Sequence, residues 1–101
     1  MTEPLVLRGP EGSITLVPGA LTQLVVTAAE SVDGARVRRP KRTVQVEHSG
    51  GSATVSLGLS VAHGASLPDV ARDVQEQVAA AVSSTCGLEV GAVNVLVEAV
   101  A

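Results

Sequence analysis

Valine recurs at every fourth position from Val70 to Val82, and most of the intervening residues are charged, polar or small. Residues four apart share one side of an α-helix, so this pattern predicts an amphipathic helix with a single apolar face. Ser66 and Asp69 have the spacing of a capping box, and Gly87 marks the end of the helix. A helix of this kind can bury its valines only against a second layer of structure, which strongly constrains the fold.

Alternating apolar and polar residues predict strands over 13–17, 43–48, 53–61 and 93–97. Apolar residues at helical spacing also occur earlier in the chain, from Leu21 to Val32, and they predict another amphipathic helix. A further strand is predicted between this helix and residue 43, in the arginine-rich stretch, but Pro40 prevents it from being a regular central strand. The sequence therefore predicts an α+β fold in the order β-α-β-β-β-α-β, with two helices packed on one face of a mainly antiparallel sheet.

Chain length predicts one domain, since 101 residues can bury one hydrophobic core. Residues 1–12 contain two prolines and two glycines and are expected to form a flexible leader. Residues 13–101 are then the single folded domain.

The chain has no Phe, Tyr or Trp, so Val, Leu, Ile and Ala must supply its core. Base-stacking platforms and aromatic cages are excluded as well, because both need aromatic rings. The net charge of −3 further disfavours nucleic acid as a partner. The single cysteine cannot form an internal disulfide and no apolar stretch has the length of a membrane span, so we expect a cytoplasmic protein.

Five of the seven basic residues occupy one short stretch, residues 36–42. These are Arg36, Arg38, Arg39, Lys41 and Arg42. They form a candidate interface for an acidic partner, acidic lipid headgroups or a nucleic acid. The competing interpretation is a solvated loop without a binding role. A second candidate surface is the outer face of the last strand, where Leu96 and Val100 are apolar rather than polar.

No arrangement of residues typical of catalysis or of cofactor binding is present. His48 and His63 have no neighbouring ligands at metal-binding spacing. Cys86 lies at a helix C-terminus, where nothing lowers the pKa of its thiol. We therefore predict no catalytic residue, no cofactor, no metal site and no small-molecule substrate.

Several segments together resemble the bacterial alkaline shock protein family. The matching text is Gly12-Ser-Ile-Thr-Leu, His63-Gly64, Leu67-Pro-Asp-Val-Ala-Arg-Asp-Val-Gln75 and Gly87-Leu-Glu-Val-Gly-Ala-Val-Asn-Val95. The resemblance extends over nearly the whole chain after residue 11, and His63 departs from it because an aromatic residue is usual there. It implies a non-enzymatic cytoplasmic protein of envelope or alkaline stress tolerance, which self-associates and is held near the membrane by a membrane-anchored protein partner.

Two other functions compete with this interpretation. One is a small nucleic-acid-binding module that uses the stretch from Arg36 to Arg42. The other is an enzyme whose site is completed by a homo-oligomer, although the sequence contains no pair of ionisable residues that would indicate a catalytic cleft.

Overall fold

The computed structural model describes residues 5–101, and the predicted α+β class is confirmed. The elements in chain order are β1 (Leu5–Gly9), β2 (Gly12–Leu16), α1 (Pro18–Glu30), β3 (Ala35–Val37), α2 (Pro40–Thr43), β4 (Gln45–Ser49), β5 (Ser52–Val61), α3 (Leu67–Cys86) and β6 (Glu89–Val100). Compared with the predicted order, the structure adds the strand β1 and the one-turn helix α2.

The sheet is organised around β5, its central strand. Both β3 and β4 pair with one edge of β5 in antiparallel orientation: β3 opposite residues 59–61 and β4 opposite residues 52–56. The other edge of β5 pairs with β6, and this pairing is parallel. Because α3 carries the chain back to the end where β5 begins, β6 must run in the same direction as β5. The prediction of a mainly antiparallel sheet did not anticipate this parallel pair.

A tight turn at Gly50 and Gly51 joins β4 to β5, as the sequence predicts. Both glycines have positive φ, +58° and +82°, the backbone conformation of a type I′ hairpin turn. The turn sets the register in which Val46 lies opposite Val55 and His48 opposite Ala53.

The two ends of α3 are the predicted ones, but one of the predicted caps differs. Ser66 occupies the N-cap position without a side-chain hydrogen bond, so the expected capping box is not formed. Gly87 adopts the left-handed conformation, with φ of +67°, and its N–H donates to the Ser83 carbonyl. This is the C-terminal stop that glycine favours.

The hydrophobic core lies between the sheet and the apolar faces of α1 and α3. On α3 the recurring valines Val70, Val74, Val78 and Val82 are all buried. They belong to the same core as the alternate residues of β5 from Ala53 to Val61, which are also buried. Each such valine or leucine contributes about 1.5–3 kcal/mol, which is how a core without aromatic rings supports the fold.

The segment predicted as a flexible leader, residues 1–12, contains a strand in the structure. Residues 1–4 lie outside the described residues. Leu5–Gly9 forms β1, which pairs with β2 as a separate antiparallel two-stranded sheet. Leu5 is buried in the core, so this end of the ribbon is tied to the main body of the protein.

Candidate protein-interaction site

The backbone of the basic segment, Arg36–Arg42, is fixed by hydrogen bonds to the sheet and to α1. The Val37 N–H donates to Glu30 Oε2 at 3.0 Å, and the Arg38 N–H donates to the Gly58 carbonyl at 3.0 Å. Arg39 has a left-handed backbone with φ of +43°, which turns the chain into α2. The segment is therefore an ordered connection with defined geometry.

Thr43 closes the turn that carries the basic residues. Its Oγ1 hydroxyl lies within hydrogen-bonding distance of two carbonyl oxygens, those of Arg38 at 2.5 Å and Arg39 at 3.2 Å. Val44, the next residue, is buried and anchors the exit from α2 in the core. A short helix between the buried residues Val37 and Val44 explains how Pro40 is accommodated beside β5.

All five basic side chains of this segment are exposed. The five exposed cations are Arg36, Arg38, Arg39, Lys41 and Arg42. Within residues 5–101 only Arg39 among them makes an ion pair, with Glu98 across 3.9 Å. The Arg39 side chain is 60% exposed, so this contact leaves its charge accessible. The structure thus leaves exposed all five cations that the sequence identified, on β3, on α2 and in the turn between them.

A groove of about 550 Å³ adjoins the basic segment. Its two walls come from the first half of α1 and from α2. Its lining is mainly apolar, with Val26 and Pro40 in its walls and Arg39, Lys41 and Arg42 along one side. The sequence did not reveal this groove, because its walls come from segments about twenty residues apart whose proximity only the tertiary fold establishes.

The basic segment stands out against an acidic protein. Outside Arg36–Arg42 the chain has two basic residues, Arg8 and Arg72, and all ten acidic residues. The charge is therefore divided between a short cationic segment and an otherwise acidic chain. Such a division favours a partner surface that is itself acidic.

Leu96 and Val100, the second candidate surface, lie on β6. Leu96 is 65% exposed and Val100 is 52% exposed. In the register of the sheet Leu96 lies beside Gly58 and Val100 beside Val61, with a bulge between the two pairs. Since positions 58 and 61 of β5 point to opposite faces, the two side chains do not form one continuous row. The structure brings neither of them next to the basic segment, although Glu98 on the same strand contacts Arg39.

Within the described part of the chain, the side chains that could react or bind a metal are not gathered into a site. Cys86 is buried in the core, and this burial raises the pKa of its thiol. Among residues 5–101 no group of three or more His, Cys, Asp or Glu side chains could hold a metal ion. No helix within the same residues has the length and apolar character needed to cross a membrane.

Solved structures with a similar fold are forms of the MamM CTD. A copper form is 24% identical, with a TM-score of 0.54, and the match covers 80% of this chain and 95% of that one. A nickel form is 23% identical, with a TM-score of 0.54 and coverage of 80% and 96%. A methionine-to-leucine variant is 26% identical, with a TM-score of 0.54 and coverage of 80% and 95%. These likenesses support the α+β fold.

Comparison with the curated proteins gives no match. A family model does match, over residues 35–101, and this range includes the basic segment, the central strand, α3 and β6. The family's cell envelope-related function fits a non-enzymatic role. The chain belongs to the alkaline shock protein 23 family, which is described as having a cell envelope-related function.

Proposed function

We propose that this protein is a non-enzymatic adaptor of the cell envelope, which associates with copies of itself and binds a membrane-anchored protein partner. One observation carries the proposal: the basic segment Arg36–Arg42 combines an ordered backbone with five exposed cations in an acidic chain. An ordered backbone reduces the entropy lost on binding, so the cations are presented in advance of the partner.

The chemistry of the groove beside the segment indicates what the partner offers. Apolar atoms of Val26 and Pro40 form part of the walls, and Arg39, Lys41 and Arg42 surround one side. An acidic peptide segment with one or two apolar side chains would satisfy both features. The exposed cations would speed encounter and set orientation, whereas apolar contacts in the groove would supply most of the affinity.

Membrane association in this proposal is indirect. The two apolar residues of the basic segment are Val37, which is buried, and Pro40, which lies in the wall of the groove, so the segment has no large apolar side chain to insert into lipid. Its cations would each contribute only about 1 kcal/mol at an anionic surface. The family's cell-envelope role supports a location at the membrane. We therefore assign the contact with the membrane to the partner protein.

The proposal is tested by cross-linking and purification from the native cell. A variant with Arg36, Arg38, Lys41 and Arg42 replaced by Gln removes four cations and leaves Arg39, whose left-handed backbone shapes the turn. Arg8→Gln, on the β1–β2 ribbon, is the matched control. We expect the wild type and the control to cross-link to an integral membrane protein and the fourfold variant to lose that product.

Binding to vesicles of phosphatidylglycerol and phosphatidylethanolamine, without any protein, provides the second arm of this test. The proposal predicts no binding at physiological salt. Vesicle binding as strong in the absence of membrane proteins as in native membranes would overturn the assignment of the contact to a protein partner.

The second candidate function is nucleic-acid binding through the basic segment. That function predicts a shift of labelled RNA or DNA at low salt which the fourfold variant abolishes, with affinity falling steeply as salt rises. The acidic remainder of the chain and the missing aromatic residues favour the protein partner.

A further inference from the structure

The outer edge of β6 carries backbone groups with no strand beside them. Within residues 5–101, β6 pairs only with β5. The Glu89 and Ala101 N–H groups point toward β5, donating to Gly51 and Val61. Between them the strand has two bulges, one on either side of a regular stretch from Ala92 to Val97.

Gln75 identifies which backbone groups of that stretch face outward. Its Nε2 donates from α3 to the Val93 carbonyl at 3.0 Å. Backbone groups alternate in direction along a strand, so the N–H and C=O of Val95 and Val97 face outward like those of Val93. The Val93 carbonyl already accepts a hydrogen bond from Gln75, whereas the two N–H and two C=O groups of Val95 and Val97 have no partner within residues 5–101. An added strand could pair with all four groups.

The side chains of this edge are compatible with an identical strand. Leu96 is the most exposed large apolar residue among those described, at 65%. The stretch has no proline and no lysine, the residues that commonly prevent edge strands from pairing. Its one charged neighbour, Glu98, is two residues from Leu96, as is Asn94 on the other side.

We infer that β6 pairs with β6 of a second copy in antiparallel orientation, about a two-fold axis at Leu96. In this register Val95 of each copy lies opposite Val97 of the other, and the two pairs exchange four backbone hydrogen bonds. Leu96 lies against Leu96 of the second copy. Asn94 lies opposite Glu98 of the second copy, so no like charges meet across the paired edge.

Gln75 selects this register over its neighbour. A two-fold axis at Val95 would place Val93 opposite Val97 of the second copy, and the N–H of that Val97 would compete with Gln75 for the Val93 carbonyl. The axis at Leu96 leaves that bond in place and also covers Leu96. The two-fold runs perpendicular to the sheet, so α1 and α3 of both copies lie on the same face of one joined sheet.

This inference rests on the self-association in the proposed function and names the surface that performs it. The test uses the full chain with Cys86→Ala, so that no native thiol remains. Directly opposed residues at a non-hydrogen-bonded pair have Cα atoms about 4.5 Å apart, within disulfide range. We expect Leu96→Cys to form a disulfide-linked dimer on mild oxidation.

Asn94→Cys is the matched control, because two copies of residue 94 would be about 14 Å apart, on neighbouring strands and four residues along. It should not cross-link to itself, but it should cross-link when mixed with Glu98→Cys. Equal self-cross-linking of Asn94→Cys and Leu96→Cys would overturn the register.

Sedimentation equilibrium separates this inference from the proposed function. We expect the wild type to dimerise and Leu96→Lys to be monomeric, with unchanged circular dichroism. If Leu96→Lys dimerises with the affinity of the wild type, pairing through β6 is wrong, although the protein still self-associates. A wild type that stays monomeric at high concentration would overturn self-association itself.

Discussion

The carboxylate of Glu98 lies directly over Gly58 on the outer face of the sheet. A Cβ atom at position 58 would lie 2.5 Å from Glu98 Oε1 and 3.1 Å from Thr43 Cβ. Glu98 lies on β6, beside one edge of β5, and Thr43 lies in α2, beside the other edge. Glu98 also contacts Arg39 in the basic segment. The absent side chain at Gly58 thus allows the basic turn and β6 to approach each other across the central strand.

We expect Gly58→Val to destabilise the protein by about 1–3 kcal/mol, because the new side chain must displace Thr43 and Glu98. Gly91→Ala is the control, since its Cβ would meet nothing closer than 3.7 Å. Urea unfolding monitored by circular dichroism measures both. A stability loss in Gly58→Val no larger than in Gly91→Ala would contradict this close approach.

Two exposed glycines should respond to alanine with opposite signs. A Cβ atom added at Gly19 or at Gly87 would have no neighbouring atom within 4 Å, but only Gly87 has a positive φ, +67°. Gly87→Ala should cost about 1 kcal/mol, whereas Gly19→Ala in α1 should stabilise by about 0.5 kcal/mol. Thermal unfolding of the two variants measures the difference, and equal shifts of Tm would contradict the left-handed stop after α3.

The central strand should be the most sensitive part of the core. Leu59 is fully buried and lies opposite Val37 on one edge of β5 and Val97 on the other. We expect Leu59→Ala to cost about 2–5 kcal/mol through lost apolar contacts and a residual cavity. Ile14→Ala, at a site 63% exposed, should change the free energy of unfolding by less than about 0.5 kcal/mol. Equal losses in the free energy of unfolding of the two variants would contradict the burial of Leu59 in the core.

The buried thiol of Cys86 should make the folded protein less stable in alkaline solution. Burial raises the pKa of its thiol above the ordinary value of 9.0, so the folded chain keeps this proton at a pH where the unfolded chain has lost it. The unfolded state then binds fewer protons, and the free energy of unfolding falls as the pH rises above about 9.

Cys86→Ala removes this group, so its stability should fall less than that of the wild type between about pH 8 and about pH 10. Urea unfolding at the two pH values measures the two differences. Equal differences in both proteins would show that the thiol keeps an ordinary pKa in the fold.

Much of the fold was predictable because its signals are local. The fourfold valine repeat of α3, the glycine stop at Gly87 and the Gly50–Gly51 turn each depend on neighbours in sequence, and the structure has all three. The one-turn helix α2 was not predictable, since its left-handed entry at Arg39 depends on a tertiary hydrogen bond between the preceding residue and Gly58. Strand β1 was not predicted, because the residues around it in the sequence include prolines and glycines.

The candidate site was predictable only in part for the same reason. Clustered charge is visible in the sequence, so Arg36, Arg38, Arg39, Lys41 and Arg42 could be named as a surface. The groove against α1 and the hydrogen bond from Gln75 to β6 depend on tertiary contacts. Leu96 could be identified as an unexplained apolar residue, but the free edge beside it required the strand pairing.

The most direct test of the adaptor proposal is the distribution of the protein between membrane and soluble fractions of the native cell. The wild type and Arg8→Gln should sediment with the membranes, and the variant with Gln at positions 36, 38, 41 and 42 should shift to the soluble fraction while keeping its wild-type circular dichroism. Membrane association that the fourfold variant retains in full, or a wild type found only in the soluble fraction, would contradict the proposal.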